Sequence, residues 1–220
     1  MTRRPLDFYP TPPDATRAVV DFIRAERAHL LGAAVPKWNE ARRTWLDPAA
    51  GCGALLREIA PYVPRTVALE MDEARAQLAA KVADEAHAGD ALATVWPPSC
   101  VIANPPFNML DAFVEKIVGH VQEHQSYALV LVRYQWLDDG QGRHVRFKPR
   151  EIWRIPWRLK FIQNASDATS HAWLLYGPEG PEHGATATSW LTRPAIGDEE
   201  WARHWLEADQ IDAAQGTLFE

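Results

Sequence analysis

The residues of this 220-residue chain best suited to chemistry fall in two short stretches, Asp47-Pro48-Ala49-Ala50-Gly51-Cys52-Gly53 and Asn104-Pro105-Pro106-Phe107. The second offers two carbonyl acceptors in a stiff frame, the Asn104 side chain and the Pro105 backbone. A residue before proline is pushed to extended dihedrals and proline fixes its own φ, so the loop is pre-organised with its carbonyls outward. Such acceptors can draw on the N–H bonds of an amine without a strong base. Phe107 adds a ring on which a flat substrate can stack. The first stretch carries Gly51-x-Gly53 but not a full G-x-G-x-x-G. Its glycines let the backbone approach a bound group closely, and the helix after it begins with free N–H groups. Glu70 closes the next strand, where a carboxylate can accept from both hydroxyls of a ribose.

Strands must hold both stretches. Thr44-Trp45-Leu46 precedes the glycine loop and Cys100-Val101-Ile102-Ala103 precedes Asn104, so each loop ends a strand, where open α/β sheets take their ligands. Thr66 to Glu70 and a short run near His87, ending at Gly89-Asp90, predict two further strands. Tyr127 to Val132 is a near-continuous apolar run, as expected of a strand covered on both faces. Helices are predicted between them. One starts at Pro13-Asp14 and carries Val19, Phe22, Ile23 and Leu30. The next two run from Leu55 to Ala60 and from Glu73 to about Ala83. Leu110, Phe113, Val114, Ile117, Val118 and Val121 form the fullest i, i+3, i+4, i+7 stripe of the chain. Alternation of this kind calls for a mostly parallel sheet with helices on both faces. Ile152 to Phe161 and His171 to Tyr176 then read as an antiparallel hairpin, with Pro156 at an edge or bulge. Gly177-Pro178-Glu179-Gly180-Pro181 reads as a linker, and Trp190, Trp201, Trp205 and Leu206 as an accessory helical tail folded back on the domain. The expected division is 1–177 and 178–220.

A glycine loop followed by Asn-Pro-Pro-Phe, in this order and each on a strand end, resembles motifs I and IV of the S-adenosylmethionine-dependent amino-methyltransferases. These enzymes modify adenine N6 or cytosine N4 in nucleic acids. Phe8-Tyr9-Pro10-Thr11-Pro12-Pro13 resembles motif X, and Asp90 with Ala91 resembles motif III. Within the group the arrangement is most similar to small phage-type DNA N6-adenine methyltransferases. The resemblance implies a Rossmann-like, seven-stranded sheet ending in an antiparallel hairpin. It implies S-adenosyl-L-methionine as cofactor, held by Tyr9, Pro10, Thr11, Asp47, Ala49, Gly51, Gly53, Glu70, Met71, Asp90, Ala91 and Asn104. An electron-rich ring such as Tyr9 and backbone carbonyls would suit a sulfonium. Asn104, Pro105, Pro106 and Phe107 are implied as the catalytic loop. The exocyclic amine of adenine is a poor nucleophile because its lone pair is delocalised, and two acceptors would pull it toward a pyramidal geometry. A base in a duplex would first have to be flipped out, at a cost of a few kcal/mol.

The formal charge of −6 does not point to a polyanion, but the charge is unevenly spread. From Arg133 to Lys160 there are eight Lys/Arg against three Asp/Glu, and local fields decide such binding. Arg133, Tyr134, Arg143, Arg146 and Lys148 are therefore expected to meet a nucleic acid, DNA ahead of RNA. Asn164 to Ser170 falls where motif VIII would lie. No insert of the size used for target recognition is present, which predicts short or relaxed sequence specificity. Other readings stay open: methylation of RNA adenine, methylation of a protein glutamine, or a catalytically silent nucleic-acid-binding partner. Glutamine enzymes favour Tyr where Phe107 stands, and silent relatives usually lose the Asn or the glycine loop. His120-Val121-Gln122-Glu123-His124 fits H-x-x-E-H, but it is expected on the exposed face of its helix and no metal is predicted. Cys52 and Cys100 lack C-x-x-C spacing, so neither a disulfide nor a zinc cluster is expected. With no membrane-length apolar run and no signal peptide, the expected location is the cytoplasm of a bacterial or phage-infected cell.

Overall fold

The computed structural model describes residues 10–31, 40–138, 140–161, 166–178 and 185–206. Tyr9, Asn164 and the linker residues Glu179 to Pro181 lie outside them. The strands are β1 (Thr44–Asp47), β2 (Arg65–Glu70), β3 (Glu85–Ala88), β4 (Cys100–Ala103), β5 (Ala128–Arg133), β6 (Glu151–Ile155), β7 (His171–Tyr176) and β8 (Ala187–Trp190). They form one sheet in the order β3-β2-β1-β4-β5-β7-β6-β8. The first five pair in parallel, and β7 is antiparallel to both β5 and β6. The chain thus builds outward in one direction from β1 and in the other from β4. The crevice at that reversal, beyond the strand ends Asp47 and Ala103, is where sheets of this type bind ligands.

The helices are α1 (Pro13–Glu26), α2 (Ala54–Ile59), α3 (Glu73–Ala79), α4 (Leu110–His124), the short α5 (Tyr134–Leu137) and α6 (Arg143–Arg146), and α7 over 198–206. Successive strand residues serve opposite faces. Trp45, Cys100, Ile102, Leu129 and Trp173 pack with α1 and α2, while Leu46, Val101, Ala103, Val130 and Leu174 pack with α4. This double burial explains the unbroken apolar character of β4 and β5. The α4 stripe goes inward as its periodicity predicts, with Leu110, Phe113, Val114, Ile117 and Val121 buried. Gln125 then ends the helix in the left-handed region, at φ 51°, donating to Val121. The indole of Trp173 donates to the Ala15 carbonyl at 3.3 Å and ties α1 to the sheet.

Five features differ from the sequence expectation, the first being that α1 ends at Glu26, so Leu30 lies in a separate turn over Ala28–Leu31. β6 stops at Ile155, because Pro156 has no N–H to continue the ladder. α3 ends at Ala79 rather than near Ala83, and the chain turns to Asp84, whose carboxylate accepts from the Thr66 N–H and hydroxyl at 2.7 and 2.8 Å. An eighth strand, β8, is added in parallel beside β6, with Trp190 opposite Arg154. His120 is not on the exposed face of α4. It is buried, with Nε2 3.1 Å from the Ser99 carbonyl and 3.2 Å from its hydroxyl. Burial first, then the neighbouring His124, pushes its pKa down to about 4. The tail contacts α1 through Glu200, which accepts from Arg17 at 2.9 Å, and His204 is buried. Trp201 and Trp205 stack on each other at 5.4 Å, while Trp190 and Leu206 are exposed.

Candidate active site

Four strand-end loops and the segment before α1 enclose a cavity of about 370 Å³. Pro10, Thr11, Asp47, Ala49, Gly51, Glu70, Met71, Asp90, Ala91 and Asn104 line it, together with Pro105, Pro106 and Phe107. Two residues predicted for the cofactor are not in this wall: Tyr9 lies outside the described residues, and Gly53 sits one step behind. Gly53 is nevertheless demanding, at φ 83°, and a Cβ there would lie 2.4 Å from Val82 Cγ2 and 3.3 Å from Ala79 Cα. Its place is therefore the close approach of the α2 start to α3.

Glu70 is buried at the end of β2 and organises the glycine loop. One carboxylate oxygen accepts from the Gly51 N–H at 2.7 Å, the other from the Asp72 N–H at 3.1 Å. Arg75 lies 3.7 Å from the second oxygen. Each carboxylate oxygen has two acceptor sites, so hydroxyl groups can still be received. Asp47, at the end of β1, is 1% exposed and accepts from the Ala49 N–H at 3.1 Å. Burial pushes its pKa up to about 8, against the pull of that N–H and with a further push from the Glu70 charge. A positive charge brought by a ligand would favour the ionised form of this carboxyl and lower its pKa again. On the far wall, the Asp90 side chain accepts from the Leu92 N–H at 2.8 Å. Lys116, from α4, donates to the carbonyls of Ala91, Leu92 and Thr94 at 2.8, 2.9 and 2.6 Å, which fixes this loop. Burial pushes the Lys116 pKa down, and Asp90 opposes the shift.

At Asn104 the side-chain amide is held in one sense. Nδ2 donates to the Thr11 hydroxyl at 3.1 Å, and the carbonyl Oδ1 is buried with no hydrogen-bond partner among the described residues. A buried acceptor left unpaired costs about 1–3 kcal/mol, which a bound N–H would recover. Phe107, half-buried beside it, has the Arg133 guanidinium 4.1 Å from its ring centre and Phe161 edge-on at 6.4 Å. Asp167 accepts from Arg133 at 3.0 Å, and is itself fixed by the Thr169 N–H and hydroxyl at 2.9 and 2.8 Å.

The residues predicted for nucleic acid do not line the cavity. Arg133 and Tyr134 flank it at the end of β5. Arg143 pairs with Asp111 at 2.9 Å and Arg146 with Glu115 at 2.8 Å, both acids being on α4, while Lys148 is exposed. The basic segment is therefore partly matched by acids from another stretch of chain. Sequence reasoning missed the Thr11 contact to Asn104 and the loop-holding role of Lys116. For Lys116 a signal existed: it stands three residues after the buried Phe113, on the margin of the apolar stripe.

The sheet order, the hairpin and the ligand crevice define a Rossmann-like fold of the class I methyltransferase type. The chain is similar to a Listeria monocytogenes protein described as a class I S-adenosylmethionine-dependent methyltransferase, with TM-score 0.55, 16% identity, and 85% of this chain and 69% of that one covered. It is similar to a Pyrococcus horikoshii protein described as an RNA methyltransferase, with TM-score 0.57, 14% identity and coverage of 80% and 91%. It is also similar to the methyltransferase subunit of a type I restriction-modification system from Streptococcus thermophilus, with TM-score 0.58, 14% identity and coverage of 93% and 53%. At these identities the likeness is one of fold. No protein-family model and no curated protein matches the sequence.

Proposed function

We propose that this chain is a methyltransferase acting on the exocyclic N6 amine of adenine in DNA, with S-adenosyl-L-methionine as cofactor. The observation that carries the reading is the Asn104 carbonyl oxygen, buried, unpartnered and turned by Thr11, in the wall of the cavity that Asp47 and Glu70 also line. The donor set fits the cofactor. Glu70 would take ribose hydroxyls, Asp90 and Ala91 would border the adenine, and buried Asp47 would meet a positive charge near the glycine loop. Bound there, the cofactor supplies an electrophilic methyl group. Asn104 Oδ1 and the Pro105 carbonyl accept from the two N–H bonds of the substrate amine, which draws its lone pair out of the ring. Phe107, backed by Arg133, stacks on the base.

DNA is preferred to RNA because Asn-Pro-Pro-Phe resembles the DNA adenine motif. We assign the transfer to residues 1–177 and treat 178–220 as an appendage to it. Few loops stand at this edge of the sheet, which supports short or relaxed sequence recognition with most affinity from backbone contacts and the flipped base. The same fold is shared with a protein described as an RNA methyltransferase and with a restriction-modification subunit. Asn104→Ala tests the reading. Loss of a pre-organised acceptor typically lowers turnover ~10²–10³-fold, while cofactor affinity, measured by calorimetry, should stay near that of the native chain. Near-native turnover in the variant would remove this loop from catalysis.

A further inference from the structure

β8 brings one more aromatic residue to the edge of the sheet that carries the candidate site. Arg154 on β6 faces Trp190 on β8, and on its other side faces Ala172 on β7, which in turn faces Val132 near the end of β5. The Arg154 guanidinium lies 3.6 Å from the centre of the Tyr134 ring and 5.3 Å from that of Trp190. Tyr134 follows Arg133, which lies over Phe107. Aromatic and cationic side chains therefore alternate from the catalytic loop to the outermost strand. The order β4-β5-β7-β6-β8 puts four interstrand spacings, or ~19 Å, between the strand that ends in the catalytic loop and β8.

Arg154 differs from Arg133, Arg143 and Arg146. Arg133 is matched by Asp167, Arg143 by Asp111 and Arg146 by Glu115. Among the described residues Arg154 pairs with no carboxylate, and its Nε is buried without an acceptor. Trp190 is 61% exposed on a short polar strand, so its ring adds little to the core. An exposed indole beside an uncompensated guanidinium is the combination that receives a base on its π-face and a phosphate at the cation.

We propose that Arg154 and Trp190 dock an unpaired nucleotide of the DNA strand that carries the target adenine. The proposal rests on the nucleic-acid reading above. A base inside a duplex has both faces covered by its neighbours, so the occupant is a single-stranded or locally opened segment. The track would give strand affinity at the sheet edge without a separate recognition domain.

The test uses the full chain and a fluorescent single-stranded DNA oligonucleotide with one adenine, intact or with an abasic site on either side of it. Trp190→Ala should weaken binding of the intact strand at least ~5-fold, as loss of a base–aromatic stack does. Trp190→Phe should restore most of it, and Arg154→Gln should weaken it and reduce its salt dependence. Cofactor affinity should be unchanged in all three. One abasic strand should bind the native chain weakly and show no further loss with Trp190→Ala. Native binding by Trp190→Ala, or a penalty that persists on both abasic strands, overturns the track. If the native chain methylates the strand while Trp190→Ala matches it, the track alone fails. If the native chain binds no nucleic acid, the track and the underlying reading fail together.

Discussion

On the β1–β2 side of the cavity the acids are buried, Asp47 with a backbone N–H and Glu70 with Arg75 behind it, whereas on the β5–β8 side the arginines are half-exposed or exposed and mostly paired. Asp47 is fully enclosed and receives one backbone N–H. Glu70 is spent on the loop it organises, with Arg75 behind it. Arg133, Arg143 and Arg146 each hold a carboxylate of this chain. A carboxyl cut off from water, such as Asp47, stays protonated, and a cationic ligand would shift it toward its ionised form. Exposed ion pairs are worth about 0–1 kcal/mol and can be exchanged for phosphate contacts. One side is thus a fixed socket and the other an adaptable rim.

The largest effect should come from breaking the socket. Glu70→Ala removes the acceptor of two loop N–H groups and a carboxylate beside buried Arg75, and should cost on the order of 3 kcal/mol of stability. Calorimetry should also show weaker cofactor binding, by about 1.5–3 kcal/mol for each charged hydrogen bond lost. An unchanged denaturation midpoint would mean that the loop organises itself without Glu70.

Asp47 sharpens the comparison through pH. Its folded pKa is raised to about 8 from an ordinary 3.8, so between these values the folded state holds a proton that the unfolded state has released. Stability from this group is present at low pH and declines as pH rises toward 8. Denaturation of the ligand-free chain should show that decline, and Asp47→Asn should flatten it. Because a cationic ligand favours the ionised form, cofactor binding at pH 7 should release protons in the native chain and fewer in the variant. Equal proton release in both would detach Asp47 from the site.

The smallest effect is expected on the rim. Arg143→Gln, Arg146→Gln and Lys148→Gln together should lower the salt slope of DNA binding by well under ~3, since Arg143 and Arg146 already hold Asp111 and Glu115. A slope lowered by the full ~3 would show that Asp111 and Glu115 release their arginines to phosphate.

The parts legible in the sequence were those written in contiguous residues. β4 and β5 read as strands because both faces are buried, and α4 because its stripe is unbroken. Asn104 and Glu70 could be placed because each ends a strand. What escaped depends on residues far apart in sequence. A count over Arg133–Lys160 could not see Asp111, Glu115 or Asp167 arriving from other segments. β8 reads Ala-Thr-Ser-Trp, too short and polar to carry a strand period, and it exists through pairing with β6. His120 was readable but misread: it stands three residues after Ile117, on the stripe itself, and Ser99 satisfies it from outside the helix. The Thr11 contact that orients Asn104 spans nearly the length between the first helix and the fourth strand, and no local pattern announces it.

The most direct measurement is transfer from S-adenosylmethionine labelled in its methyl group to duplex DNA, single-stranded DNA, RNA and protein, followed by digestion of the products. The account predicts label on the N6 amine of adenine in DNA and its loss with Asn104→Ala. Label on cytosine, on RNA alone or on a protein side chain would contradict it, as would the absence of transfer to every substrate.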